Sequence, residues 1–285
     1  MNGKSSSSDL EGREFKFTDK DFDLLKKIVS DNTGIVLTDA KRNMVYGRLS
    51  RRLRALDLSN FSDYITLIKR DDDELVNFIN SITTNLTAFF RENHHFEHLK
   101  THVLPTLLEK NQLNRRIRIW SAGCSTGEEP YSLAITISEF FADHPGWDVK
   151  ILATDIDTNV IKRAAEGIYS ADRIEGLDAS LIKKWFVNGK GEKTGLVKVR
   201  PELQALISFK QLNLLNDWPM KGQFDVLFCR NVVIYFDKPT KIELFNRYAD
   251  MLVSKGDMFI GHSETLFQIS DRFISLGGTI YQKKV

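Results

Sequence analysis

Long apolar runs are missing from this sequence of 285 residues. No stretch reaches the ~18 consecutive apolar residues that a membrane-spanning helix needs. The serine-rich start, Ser5 to Ser8, lacks the apolar core of a signal peptide. Cysteine is scarce: Cys124 and Cys229 stand alone, which excludes a disulfide framework and suits a reducing compartment. Neither sign of charge dominates, 40 Lys and Arg against 38 Asp and Glu, so total charge selects no class of partner. No internal repeat is visible. HExxH, a cysteine pair, the GxSxG elbow and the lysine of a GxxxxGK(S/T) phosphate loop are all absent. The remainder, 42% hydrophobic and 27% charged, has the composition of an ordinary globular chain with one large domain or two small ones. The expectation is a cytoplasmic protein.

Residues 1–14, rich in Ser, Gly and charge, predict a disordered tail. Residues 15–90 predict an all-helical domain. Thr18, with Asp21 three residues on, forms a capping box for a first helix with an apolar face of Phe22, Leu25, Ile28 and Val29, and Gly34 lies past its end. A second helix runs over 39–56, and shorter ones near 63–70 and 74–84. From position 91 the texture changes. Strands are expected at 117–120, 149–153, 206–211, 225–229, 258–261 and 279–282, with helices at 129–142, 159–166 and 240–252. That alternation is the pattern of a doubly wound, mainly parallel α/β sheet with one antiparallel edge strand. It is interrupted by glycines and period-two alternation over 168–203, read as a small inserted β unit containing a hairpin.

The most informative stretch is WSAGCSTGEEPYS at 120–132, a strand, a glycine turn at Gly123 and a helix start. A phosphate loop would offer a cation and backbone N–H groups to an anion; this one offers Glu128 and Glu129. It therefore suits an adenosine-like ligand with a positive end, such as S-adenosylmethionine. Glu129 is assigned to the ligand's ammonium and Glu128 to loop structure. Asp155 ends the second strand, where an acidic side chain accepts from both ribose hydroxyls. Asp157 reads as a helix cap. Arg230, Asn231 and Tyr235 follow the fourth strand, and Asn213 the third, at the carboxyl ends where open sheets bind ligands. Cys124 reads as a backbone position rather than a nucleophile. His94, His95, His98 and His102 fall on one helix, but the spacing is a weak metal signal and no metal is expected. Lys41, Arg48, Arg51 and Arg52 make a basic stripe on the second helix, either a solvated face or a dock for an acidic protein or nucleic acid.

Together with TNLTAFFRE at 84–92, ATDID at 153–157, CRNVVIYF at 229–236 and GHSE at 261–264, these segments resemble the bacterial chemotaxis receptor methyltransferases, the CheR family, from about residue 18 onward. The resemblance implies a helical N-terminal domain before a Rossmann-like methyltransferase domain with an inserted antiparallel β-subdomain. It implies methyl transfer from S-adenosylmethionine to glutamates on chemoreceptor cytoplasmic helices, leaving S-adenosylhomocysteine. In its terms Asn85, Thr87, Arg91, Gly123, Glu129, Asp155, Asn213, Leu214, Arg230 and Asn231 contact the cofactor. Arg91 and Tyr235 flank the reacting methyl, and Lys41, Arg48, Arg51 and Arg52 dock the receptor. A receptor tail bound by the β-subdomain and a monomeric enzyme are further expectations. Two rival readings stay open: a cofactor-binding receptor adaptor without transfer, and a nucleic-acid methyltransferase. The latter lacks the Asn/Asp-Pro-Pro-aromatic motif after its fourth strand.

Overall fold

The computed structural model describes residues 13–285. The expected tail, 1–14, lies outside the described residues except for Arg13 and Glu14, and those two are tied down. Arg13 donates to Asn43 at 2.6 Å, and Arg54 donates to Glu14 at 3.1 Å. The chain divides into two compact units, Met1–Thr84 and Asn85–Val285. The division falls a few residues before position 90, so Asn85 and Thr87 belong with the second unit.

The first unit is helical: α1 (Asp19–Thr33), a 3-10 turn (Asp39–Lys41), α2 (Arg42–Ala55), α3 (Phe61–Ile68) and α4 (Asp72–Ile82). The capping box forms as the sequence predicts. Thr18 Oγ1 accepts the Asp21 N–H at 3.2 Å, Asp21 Oδ2 accepts the Thr18 N–H at 2.9 Å, and Gly34 closes the helix at φ 70°. Such a cap is worth about 1 kcal/mol. Apolar residues recur every three or four positions, so each helix buries one stripe. Phe22, Leu25, Val45, Leu49, Phe61 and Phe78 meet in one core.

The second unit opens with α5 (His94–His98), a π-helical turn (Leu99–Val103) and α6 (Leu104–Lys110). There follow β1 (Arg116–Ala122), α7 (Glu128–Phe140), β2 (Asp148–Asp155), α8 (Thr158–Glu166), β3 (Ile168–Ser170), α9 (Ala179–Trp185), β4 (Phe186–Asn188), β5 (Leu196–Val199) and α10 (Pro201–Gln204). The chain ends with β6 (Ile207–Gln211), β7 (Phe224–Cys229), α11 (Lys238–Met251), β8 (Leu252–Ile260), β9 (Phe273–Gly277) and β10 (Ile280–Lys283). Seven strands make one sheet in the order β6-β2-β1-β7-β8-β10-β9. Successive strands run outward from β1 on one side and from β7 on the other. The crevice for a ligand therefore opens between the carboxyl ends of β1 and β7. β7 is buried along its whole length, as a central parallel strand covered on both faces should be.

One expectation is corrected here. The strand expected at the antiparallel edge, β10, is antiparallel to β8 but not the edge, because β9 pairs along its outer side. In β9 only Phe273 is buried, so no alternation marks the strand in the sequence. The inserted antiparallel β unit forms as expected. β4 and β5 form the expected hairpin, and β3 pairs antiparallel with β5 to give a three-stranded sheet.

Candidate active site

The loop after β1 is built on left-handed backbone. Gly123 (φ 92°), Ser125 (φ 50°) and Gly127 (φ 98°) all lie in the region that favours glycine. A Cβ on Gly123 would come within 2.2 Å of Val232 Cγ2, and one on Gly127 within 2.8 Å of the Tyr169 hydroxyl. The loop is fastened to the end of β2: the N–H groups of Gly123 and Cys124 donate to Thr154 O at 2.8 and 2.9 Å. Cys124 is buried, and burial together with the charges of Asp155 and Glu129 pushes its thiol well up. A thiolate nucleophile is thereby disfavoured.

Asp155 accepts the Ser125 N–H at 2.8 Å with Oδ2 and the Asp157 N–H at 3.0 Å with Oδ1. Each oxygen keeps a second lone pair, which is what a ribose diol requires. Burial pushes this carboxyl up to about 6 against the pull of those N–H groups, so it is mainly ionised at pH 7. Asp157 caps α8 through Asn159 N–H at 2.9 Å and accepts from Asn85 Nδ2 at 2.8 Å.

The two glutamates at the start of α7 have separate partners. Glu128, 1% exposed, pairs with Arg173 and accepts from Thr126 Oγ1 at 2.6 Å. Arg173 also donates to Thr87 O at 2.7 Å. Glu128 thus belongs to a structural brace. Glu129 accepts from Ser121 Oγ at 2.7 Å and from Arg230 Nη1 at 3.2 Å. Burial raises its pKa, opposed by the Arg230 charge and the Ser121 bond.

Arg230 reaches outward to Arg91 O and lies 3.3 Å from Glu92 Oε2. It is therefore a buried bridge from the turn that carries Arg91 to Glu129. Arg91, its side chain 31% exposed, donates from Nη1 to Leu86 O at 2.9 Å. Asn231 adopts φ 59°, and its N–H donates to Glu264 Oε2 at 3.0 Å. The same oxygen accepts the Gly261 N–H at 2.6 Å, and Oε1 accepts the Ile234 N–H at 3.3 Å. Glu264 clamps the whole segment to which Tyr235 belongs. Tyr235 is half-buried in a 3-10 turn (Val233–Tyr235). Asn213 makes a local turn by accepting the Leu215 N–H at 3.0 Å, and the Leu214 carbonyl accepts from Arg247 Nη1 at 2.8 Å.

The structure gathers Gly123, Glu129, Asp155, Arg230 and Asn231 at the carboxyl ends of β1, β2 and β7, with Arg91 joined to them through Arg230. Asn85 and Thr87 connect through Asp157 and Arg173. The arrangement fits S-adenosylmethionine: a loop that leaves no room for a Cβ at Gly123, a ribose-type carboxylate, and a glutamate for an ammonium. Sequence reading missed four contributors: Glu92, Tyr169, Arg173 and Glu264. Glu92 and Glu264 close two of the motifs quoted above, which was their available signal; Arg173 and Tyr169 carried none.

The histidines do not form a ligand set. His98 stacks on His102 with ring centroids 4.7 Å apart, while His94 lies tilted against His95 at 4.1 Å. No metal-competent group of three appears among the described residues. The basic stripe also divides. Arg48 donates to the carbonyls of Ile82 and Thr83 at 3.0 and 2.5 Å, closing the end of α4. Arg52 forks onto the buried Glu74. Lys41 and Arg51 are exposed and make no ion pair among the described residues.

Comparison with known proteins agrees with this geometry. The family model described as "CheR methyltransferase, SAM binding domain" matches residues 85–282, and "CheR methyltransferase, all-alpha domain" matches 20–83. The chain is 46% identical to the chemotaxis protein methyltransferase 2 of Pseudomonas aeruginosa, over 94% of this chain and 95% of that one. It is 41% identical to a probable chemotaxis protein methyltransferase of Rhizobium etli, over 90% and 96%. It is 42% identical to the chemotaxis protein methyltransferase of Escherichia coli, over 93% and 91%.

Proposed function

Since the chain belongs to the CheR methyltransferase family, we propose that it methylates glutamate side chains on chemoreceptor cytoplasmic helices, giving glutamyl methyl esters. The observation that carries the choice of acceptor is Arg91. Its guanidinium is partly exposed, and its own carbonyl is held by the arginine that grips Glu129. A cation so placed suits an anionic acceptor beside the cofactor loop.

The bound donor supplies an electrophilic methyl group on a sulfonium centre. The chain's own residues do the rest. Gly123 and Asp155 seat the adenosine end, and Glu129 faces the ammonium. Arg91 takes one acceptor oxygen in a charged hydrogen bond, and Tyr235 offers a second donor. With an ordinary pKa near ~4.3 a glutamate is ionised at pH 7, so no base is required. Orientation and exclusion of water can contribute up to ~7–11 kcal/mol. Arg91 must orient rather than clamp, because charge is lost from the carboxylate on transfer.

Lys41 and Arg51 are the cations we assign to receptor docking. Arg51 edges a concavity of about 450 Å³ in the helical unit, lined also by Arg48, Arg52, Asn80, Ser81 and Thr83. The nucleic-acid reading rested on the full stripe, and the internal ties of Arg48 and Arg52 weaken it. The test is transfer of labelled methyl to receptor-rich membranes, with Arg91→Ala abolishing most transfer while cofactor Kd stays within a few-fold. A large loss of cofactor affinity would instead move Arg91 into the cofactor site.

A further inference from the structure

Glu92 follows Arg91 directly and has not been given a role. Its backbone is left-handed at φ 56°, and Phe90, on the other side of Arg91, is left-handed at φ 50°. Such conformations are costly for bulky residues and persist where the surroundings over-determine them. The Glu92 side chain is 11% exposed and meets four nitrogen-bearing partners, two on each oxygen. Oε1 lies 3.0 Å from His262 Nδ1 and 4.0 Å from Arg91 Nε. Oε2 lies 3.3 Å from Arg230 Nη2 and 3.6 Å from His95 Nδ1. One oxygen therefore serves the exposed side and the other the buried bridge to Glu129.

Chemistry separates these partners. His95 is fully buried, and burial with the nearby Arg230 charge holds its pKa down to about 4; it is neutral at pH 7, and its Nε2 donates to the Gly278 carbonyl at 3.0 Å. Glu92 stays ionised despite burial, because the His262 bond and the Arg230 charge hold it down to about 2. His262 is 65% exposed, and its Nε2 lies 3.0 Å from Ser263 Oγ. It stands beside Arg91 on the same carboxylate oxygen.

We propose that Glu92 is a positioning residue of the methyl transfer, aiming Arg91 and the exposed His262 imidazole at the acceptor. This rests on the reading that Arg91 orients an acceptor carboxylate. Glu92 touches no reacting atom; its charge, 4.0 Å from Arg91 Nε, biases the guanidinium that the Leu86 carbonyl holds at Nη1, while Arg230 fixes the Arg91 backbone. His262 then forms the second edge of the acceptor-facing mouth.

The test is a double-mutant cycle on the full-length enzyme with receptor-rich membranes, scoring kcat, receptor KM and S-adenosylmethionine Kd. Glu92→Gln keeps shape and removes charge. It should lower kcat by about 10- to 100-fold, the loss expected of a group about 1 Å out of place, with cofactor Kd within threefold. Combined with Arg91→Ala it should lose little beyond Arg91→Ala alone, since both act through one group. Additive losses, or a cofactor Kd raised more than tenfold, would overturn the proposal. If Glu92→Gln does not fold, His262→Ala at its exposed site decides: receptor KM should rise about fivefold with cofactor Kd unchanged, and an unmoved KM overturns it. The Arg91→Ala leg tests the underlying reading separately. If that variant transfers normally, the acceptor role of Arg91 fails and this proposal with it. If only the cycle is additive, the acceptor role stands and Glu92 is merely structural.

Discussion

Replacing Arg52 by Ala separates a structural arginine from a docking one. Arg52 Nε donates to Glu74 Oε1 at 2.7 Å and Nη2 pairs with Oε2. Glu74 is 5% exposed at its side chain, and its other side-chain donors are Tyr64 Oη at 2.9 Å and Asn77 Nδ2 at 3.4 Å. Removing one partner of a buried ion pair costs ~3–5 kcal/mol. The surviving donors and the partial exposure of Arg52 place this case at the lower end, about 3 kcal/mol. A helical unit of this size is stable by ~5 kcal/mol, so the loss is most of its margin. The assay is urea unfolding followed by far-ultraviolet circular dichroism. Trp120, Trp147, Trp185 and Trp218 all lie in the second unit, so tryptophan fluorescence reports that unit alone. With a slope of ~1 kcal/mol/M, the helical transition of Arg52→Ala should move down by about 3 M while the fluorescence transition stays in place. Arg51→Ala should stay within about 0.5 kcal/mol. A shift for Arg52→Ala as small as that of Arg51→Ala would refute the assignment.

Charge reversal at the exposed positions, Lys41→Glu with Arg51→Glu, should weaken transfer to receptor most strongly at low salt and leave cofactor Kd unchanged; kinetics that ignore both would make the stripe a solvated face. Asp155, held up to about 6, is ionised above that pH and protonated below it. Cofactor Kd measured by calorimetry should therefore weaken about tenfold between pH 7 and pH 5, and Asp155→Asn should remove the pH dependence. Gly123→Ala drives a Cβ into Val232 at a backbone angle of 92°. It should cost more than about tenfold in cofactor affinity, and adding Val232→Ala should restore only part, because the strained φ remains. Glu264→Gln loses a charged acceptor for three backbone donors, about 2 kcal/mol, and should lower Tm by roughly 4–8 °C in calorimetry.

Local rules made much of this molecule legible in advance. Thr18, Asp21 and Gly34 carry their own capping chemistry, and β1, β2, β6, β7 and β8 announce themselves by apolar runs between turns, whereas β3 and β4 are too short to do so. The edge strand β9 does not, because solvent on both sides erases the alternation that marks a half-buried strand. The loop at 123–129 was readable because left-handed backbone demands glycine and a cofactor's charge selects carboxylates. Which glutamate does what was less accessible: the partner of Glu128, Arg173, sits 45 residues away in the chain. The basic stripe shows the limit most clearly. Spacing places Arg48 and Arg52 on one helix with Lys41 and Arg51, but only the fold shows that two of them face the carbonyl end of α4 and Glu74. Glu92 and Glu264 were visible as letters in motifs, and their work depends on contacts across 170 and 33 residues.

The central claim is that a carboxylate on a receptor accepts the methyl group. The direct measurement is incubation of the enzyme with methyl-labelled S-adenosylmethionine and receptor-rich membranes, followed by mild alkali. A glutamyl methyl ester releases its label as methanol, and replacing the receptor's acceptor glutamates by alanine removes the signal. Label that resists alkali, label on nucleic acid, or cofactor binding without any transfer would contradict the account.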